Sequence, residues 1–259
     1  MHPMSDLLVS RDGHVQIAEI NRPPHNYFDT KLISLIADAV EAADADETIR
    51  VTLLCANGKS FCAGANFVGD QPTTPEGRRA ESRGLYDQGL RIFRGRKPIV
   101  AAVQGHAIGG GLGVALSADF RVATPETSFA ANFTKLGFHP GFGLTVTLPE
   151  LVGPTTASLL MLTGRRVKGE EAQSIGLCNV LVPAEALRDE AMKLAREIAE
   201  SSPLGVRSTR ETLRMGLVER IEKRLDRELE EQSWLRETED FAEGVRATAE
   251  RRPANFKAR

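Results

Sequence analysis

The chain is poor in the features that would place it quickly. It has only three cysteines in 259 residues, Cys55, Cys62 and Cys178, and they share no metal-ligand spacing. All three sit in apolar stretches, so they are expected as packed, reduced thiols of a cytoplasmic protein, with no metal site. Charge of one sign is nearly absent: 33 Lys and Arg against 35 Asp and Glu leave a net −2. That balance argues against nucleic-acid and membrane-surface partners. No apolar run reaches the ~18 residues of a transmembrane span. The opening "MHPMSDLLVSRDGHV" shows no basic stretch leading into an apolar one, so no secretory signal is visible. Nor is there a repeat or a low-complexity linker.

What is present is an apolar fraction of 41%, enough for one large domain with a substantial core. The first half alternates strand and helix patterns. "HVQIAEINRP" carries β-branched alternation and stops at proline. "TKLISLIADAVEAADADE" places Leu32, Ile33, Leu35, Ile36, Ala39 and Val40 on one helical stripe, with Asp29 or Thr30 as N-cap. "IRVTLLCA" and "KPIVAAVQG" are continuous apolar runs, as expected of strands covered on both faces, and "ADFRVAT" is a further short strand. The polar stretch from Asp70 to about Ser82 reads as a long loop, with a helix before Lys97. Beyond Gly153 the patterns are helical, and the tail around "ERIEKRLDRELEEQ" reads as a solvated helix packed through Ile221, Leu225 and Leu229. The fold class is therefore α/β followed by a helical region.

Two small-residue turns carry the chemistry. "GHAIGGGLGVALSADF" sets three glycines between a buried strand and an apolar helix. Helix-start N–H groups converge there and favour negative charge. The spacing fits neither a phosphate-cradling loop with its Lys-Ser/Thr nor the G-x-G-x-x-G dinucleotide turn. Two readings stay open at this point: backbone amides holding a developing oxyanion, or a tight turn packed against a neighbour. "GKSFCAGANF" also follows a buried strand and ends in Ala63-Gly64-Ala65. Two such turns at the ends of strands of one sheet can hold one oxygen together.

"SFCAGANF", followed some thirty residues on by "KPIVAAVQGHAIGGGLGVALSADFRVAT", resembles the crotonase (enoyl-CoA hydratase/isomerase) superfamily. The likeness continues through "SFAANFTKLGFHPGFGLTVTLPELVG" to "TEDFAEGVRATAERRPANF". The resemblance implies a crotonase-type spiral of ββα units over residues 1–195 and a C-terminal helical trimerisation region over 196–259. It implies a homotrimer or a hexamer built as a dimer of trimers. The implied substrate is an acyl-CoA thioester, with coenzyme A as part of the substrate and no separate cofactor. By motif position the two oxygen-holding amides are those of Ala65 and Gly110. Pro24, His25, Ala63, Asn66, Phe67 and Gly109 then lie along the CoA and substrate path, and Phe256 and Lys257 at its nucleotide end. A side chain at Gly110 is expected to take the space the oxygen needs.

The resemblance breaks where hydratases of the family carry two glutamates. The matching positions here are Gly113 and Phe133, neither of which can position water or deliver a proton. The aspartate usual after "AGA" is Asn66. His139 is the replacement candidate for catalysis, since its ordinary pKa suits acid/base work; a loop histidine bonded to backbone beside Pro140 is the competing reading. His106 is expected to pack at the strand end before the glycines, with support of the glycine turn as the other reading; His25 is expected to touch CoA, and Lys135 and Glu126 stand at no telling spacing. Phe133, Phe138 and Phe142 make an apolar acyl pocket. The expected function is oxyanion-stabilised enolate chemistry on an acyl-CoA by a lyase, isomerase or hydrolase. The alternatives are a non-catalytic acyl-CoA binder or assembly subunit, and a true hydratase with substitute groups.

Overall fold

Residues 5–66 and 74–259 are described by the structure, a computed structural model. The strands are β1 (Leu7–Asp12), β2 (Val15–Ile20), β3 (Val51–Ala56), β4 (Ile99–Val103), β5 (His106–Ile108), β6 (Phe120–Ala123), β7 (Ser128–Ala130), β8 (Arg166–Lys168) and β9 (Val180–Leu181). The α-helices are α1 (Thr30–Ala45), α2 (Pro75–Arg94), α3 (Gly110–Ser117), α4 (Leu144–Val152), α5 (Pro154–Thr163), α6 (Gly169–Ser174), α7 (Leu187–Glu200), α8 (Pro203–Leu213), α9 (Leu217–Leu235) and α10 (Glu239–Ala249). A six-stranded sheet runs β1-β2-β3-β4-β6-β9, and a smaller one runs β5-β7-β8. Among the described residues no helix is long and apolar enough to cross a membrane.

The large sheet is parallel except for the β1–β2 hairpin at its edge. β1 is exposed at every position except Leu7, which is why its sequence shows no apolar alternation. β3 is buried throughout, as its unbroken apolar run predicts. Leu54 and Ala56 join the main core with α1, while Val51, Leu53 and Cys55 join a second core against α7. All three cysteines are free and buried, and burial pushes the Cys55 and Cys62 thiols up to about 12. α1 starts as expected, with the Asp29 carboxylate accepting from the Leu32 amide at 2.8 Å.

Two expectations need correction. The loop placed from Asp70 to about Ser82 is helical from Pro75 onward. Thr74 caps α2 by accepting from the Gly77 amide at 3.1 Å, with Pro75 in the first turn. Burial on α2 begins only at Ser82 and follows one narrow face through Tyr86, Leu90 and Phe93, so its first turns look like loop by hydropathy. The boundary after residue 195 falls inside α7, whose Leu187, Ala191, Ala195 and Ala199 pack on the large sheet. The helical region beyond the sheet therefore starts after Glu200.

The chain passes from the large sheet to the small one within two residues, Gln104 and Gly105. Gly105 has φ +59° and lies against the Lys59 carbonyl, where a Cβ has no room. That close crossing brings the ends of β3 and β4 together.

Candidate active site

The first turn, Cys62–Ala65, is stitched to β5. Cys62 N–H donates to the His106 carbonyl at 2.9 Å, and Ile108 N–H donates to the Cys62 carbonyl at 3.1 Å. On its other side, Ala63 N–H donates to the His25 carbonyl and Phe28 N–H to the Gly64 carbonyl, both at 3.0 Å. Fully buried Asn26 holds this loop by donating its side-chain amide to the carbonyls of Asn57 (2.7 Å) and Ser60 (2.6 Å). Pro24 supports the same turn through its carbonyl, which accepts from Lys59 N–H at 3.1 Å; it does not line the cavity described below.

The three glycines of the second turn are needed for three separate reasons. Gly109 has φ +57° and ψ −125°, a conformation that side chains oppose. A Cβ at Gly110 would run into the Phe28 ring, and one at Gly111 into the Cys62 carbonyl. The neighbour that forbids a side chain at Gly110 is thus a protein ring, and the positive φ belongs to Gly109. Gly110 opens α3, which has no side-chain cap. Among the described residues the amides of Ala65 and Gly110 have no hydrogen-bond acceptor. Unpaired amides at a buried helix start call for a polar guest.

Both turns open on one cavity of about 410 Å³, with Ala63, Ala65, Gly109 and Gly110 in its wall. His25, Tyr27, Asn66, His106 and Arg166 line it and are exposed, which marks the mouth. Phe133, Phe138, Phe142, Tyr86 and Gln232 line it and are buried, which marks the closed end. Gly113 does not line the cavity. Phe142 lies over it, so that a Cβ on Gly113 would sit 2.8 Å from the ring. His139 does not line it either. Its Nδ1 is 2.7 Å from the Pro140 carbonyl, as the competing reading has it, and its own carbonyl accepts from Gln232 Nε2 at 2.8 Å. Phe256 and Lys257 also lie off the cavity. The tail folds back on α10, with Lys257 N–H on Asp240 Oδ1 at 2.6 Å. Phe67 lies outside the described residues.

Tyr86 and Gln232 are among the lining residues that escaped the sequence reading. Tyr86 Oη donates to Gln232 Oε1 at 2.5 Å and accepts from the Phe142 amide. Burial pushes the Tyr86 pKa well up, so the hydroxyl keeps its proton. Behind them Glu228 is completely buried and accepts from Gly143 N–H (2.9 Å), Thr145 N–H (3.1 Å) and Thr145 Oγ1 (2.5 Å). Burial pushes its carboxyl up to about 7 against those hydrogen bonds. Burial, with help from Arg166 and Lys168, lowers the His106 pKa, which favours a neutral imidazole at the mouth. No Asp or Glu is among the described lining residues.

The mouth and the closed end of the cavity are joined past Ala65 and Gly110, so fold and site define an α/β protein with one elongated cavity walled by two backbone turns. The chain belongs to the enoyl-CoA hydratase/isomerase family, the crotonase superfamily, whose pattern matches residues 11–259. It is 33% identical to a crotonyl-CoA hydratase of Syntrophomonas wolfei subsp. wolfei, across 97% of each chain. It is 32% identical to a 2,3-dehydroadipyl-CoA hydratase of Escherichia coli K12, across 99% of this chain and 100% of that one. An enoyl-CoA hydratase/isomerase structure from Pseudoalteromonas atlantica T6c superposes with a TM-score of 0.86 at 31% identity, covering 98% of this chain and 100% of that one.

Proposed function

We propose that the protein binds an acyl-CoA thioester and stabilises an enolate formed from it. The observation that carries this reading is a pair of amides, Ala65 and Gly110, without an acceptor among the described residues and in the wall of one cavity. With the thioester oxygen between them, charge that develops at the α-carbon is delocalised onto an oxygen already held by fixed donors. Such donors act strongly because they need no reorganisation during reaction. The CoA portion leaves through the mouth past His25, His106 and Asn66, and the acyl group enters the apolar end formed by Phe133, Phe138 and Phe142. The reaction class that fits a lining without described carboxylates is isomerisation, decarboxylation or carbon–carbon bond cleavage. No cofactor beyond the substrate's own CoA is called for.

Calorimetry with a panel of acyl-CoAs, free CoA and the matching free acids tests the reading. Thioesters are expected to bind and the free acids much more weakly; no thioester binding at millimolar concentration would sink it. The names of the relatives support hydration of an enoyl-CoA as a second reading. Loss of enoyl absorbance from crotonyl-CoA separates the two. A general acid or base contributes ~10²–10⁴-fold each, so the first reading expects hydration several orders of magnitude below a competent hydratase. Full turnover would favour the second.

A further inference from the structure

We infer that Glu228 is a positioning residue of the acyl site: by holding the segment after Phe142, its carboxylate keeps that ring in the cavity wall and so limits the length of acyl chain the closed end admits. The inference rests on the acyl-CoA reading and deepens it, adding a chain-length preference that follows pH. Phe142 has φ +60°, a left-handed conformation that a bulky residue keeps only where its surroundings enforce it. On one side its amide reaches Tyr86 Oη. On the other, Glu228 accepts Gly143 N–H on Oε2 and both Thr145 donors on Oε1. The ring thereby fills a slot between α2 and α3 that two glycines leave free: a Cβ at Gly89 would lie 2.9 Å from it and one at Gly113 2.8 Å. Phe142 lines the cavity, so a ring that leaves this slot lengthens the closed end.

Only the ionised carboxyl accepts at both oxygens as an anion. Protonation turns one oxygen into a donor, and hydrogen bonds to a neutral group are about half as strong as those to an ion. Burial raises Glu228 to about 7, which puts the exchange in the neutral range. The charged and titratable neighbours leave it there. Arg224, one turn earlier on α9, favours the charge, and Tyr86 of α2 keeps its proton. Arg227 is paired with Glu230 and Glu231, and Glu150 of α4 with Arg220. The His139 ring faces the Pro140 carbonyl. The charge that tightens the loop is also the one that burial penalises, so the wall is firmest where the fold as a whole is less stable.

Calorimetry on the whole protein compares butyryl-CoA with octanoyl-CoA at pH 6 and pH 8. The CoA portion is common to both, so effects of pH at the mouth cancel in the ratio of their affinities. In the wild type that ratio, short over long, is expected to be about fivefold higher at pH 8 than at pH 6. Glu228→Gln carries an amide that cannot accept at both ends, and is expected to show the low ratio at both pH values. If it does not fold, as judged by circular dichroism and thermal unfolding, Thr145→Val replaces it, removes one of the three donors and is expected to lower the pH 8 ratio. A wild-type ratio that does not change with pH overturns the inference without needing any variant. So does a pH-dependent ratio that persists in Glu228→Gln, or a pH 8 ratio that Thr145→Val leaves as it was. In these cases thioesters still bind, so the acyl-CoA reading stands. If neither thioester binds, that reading falls and this one with it.

Discussion

The two walls of the cavity are built on different principles. One is backbone: the Cys62–Ala65 turn and the start of α3, where strand-like hydrogen bonds and glycines packed against Phe28 and Cys62 fix two amides. The other is side chain: Tyr86 from α2, Gln232 and Arg236 from α9, and Phe142 from the loop that Glu228 clamps. A backbone amide is the same group whatever residue carries it, so the first wall tolerates few changes of shape but keeps its chemistry. The second wall is rewritten by each substitution. The inner end, with Phe133 and Phe142 in its lining, is side-chain wall of this kind, and its apolar character is set by those two rings.

The difference can be broken most severely at Gly110. Gly110→Ala drives its methyl group into the Phe28 ring and displaces the amide, so turnover should fall by about 10²–10³-fold, the usual effect of losing one such donor. Adding Phe28→Ala should recover much of the loss by making room. A Gly110→Ala protein that folds and turns over normally would show the amide to be unused. Next, Phe142→Ala should cost about 3–5 kcal/mol in denaturant unfolding, because Phe142 is 2% exposed and packs on Phe28, Phe93 and Gly113. The same change should allow Gly113→Glu to fold, which Phe142 otherwise blocks; a stable Gly113→Glu single variant contradicts the packing described.

A smaller effect is expected from pH at Glu228. Its folded pKa is raised, so the folded state holds a proton that the unfolded state releases first. The stability this supplies is fully present below the ordinary carboxyl pKa of 4.5 and is lost as pH rises through about 7. The upper bound is about 3 kcal/mol across that window. Glu228→Gln removes the titration, so the melting temperature of wild type minus variant should fall between pH 5 and pH 8. A flat difference would mean that the three hydrogen bonds outweigh burial. The smallest effect is at the helix that follows Phe28: Asp29→Ala removes the α1 cap and should cost about 1 kcal/mol with little change in turnover.

The backbone wall was largely legible in the sequence. Glycine clusters after apolar runs have few explanations, and motif order singled out Ala65 and Gly110. The side-chain wall was not. Tyr86 and Gln232 stand 146 residues apart, and nothing local to either announces the pairing. Glu228 and Gln232 sit in a helix of alternating charge, where Ile221, Leu225 and Leu229 read correctly as the packed face but two buried polar residues look like solvated ones. His139 drew attention by residue type, yet in the fold it lies off the cavity, its carbonyl accepting from Gln232 while its ring turns to the Pro140 carbonyl. The early start of α2 was hidden by a polar first turn whose cap, Thr74, was passed over.

The reach of α9 into the cavity also sets a schedule for the chain as it is made. Tyr86 leaves the ribosome long before Gln232, and until then its hydroxyl has no Oε1 to donate to. Burying that oxygen early would leave a donor unsatisfied, at a cost of about 1–3 kcal/mol. The pocket's inner end therefore cannot close on an emerging chain. A polypeptide stopped short of Gln232 would present the turns of Ala65 and Gly110 over an unfinished floor, so nearly the whole length must be synthesised before the cavity has both its walls.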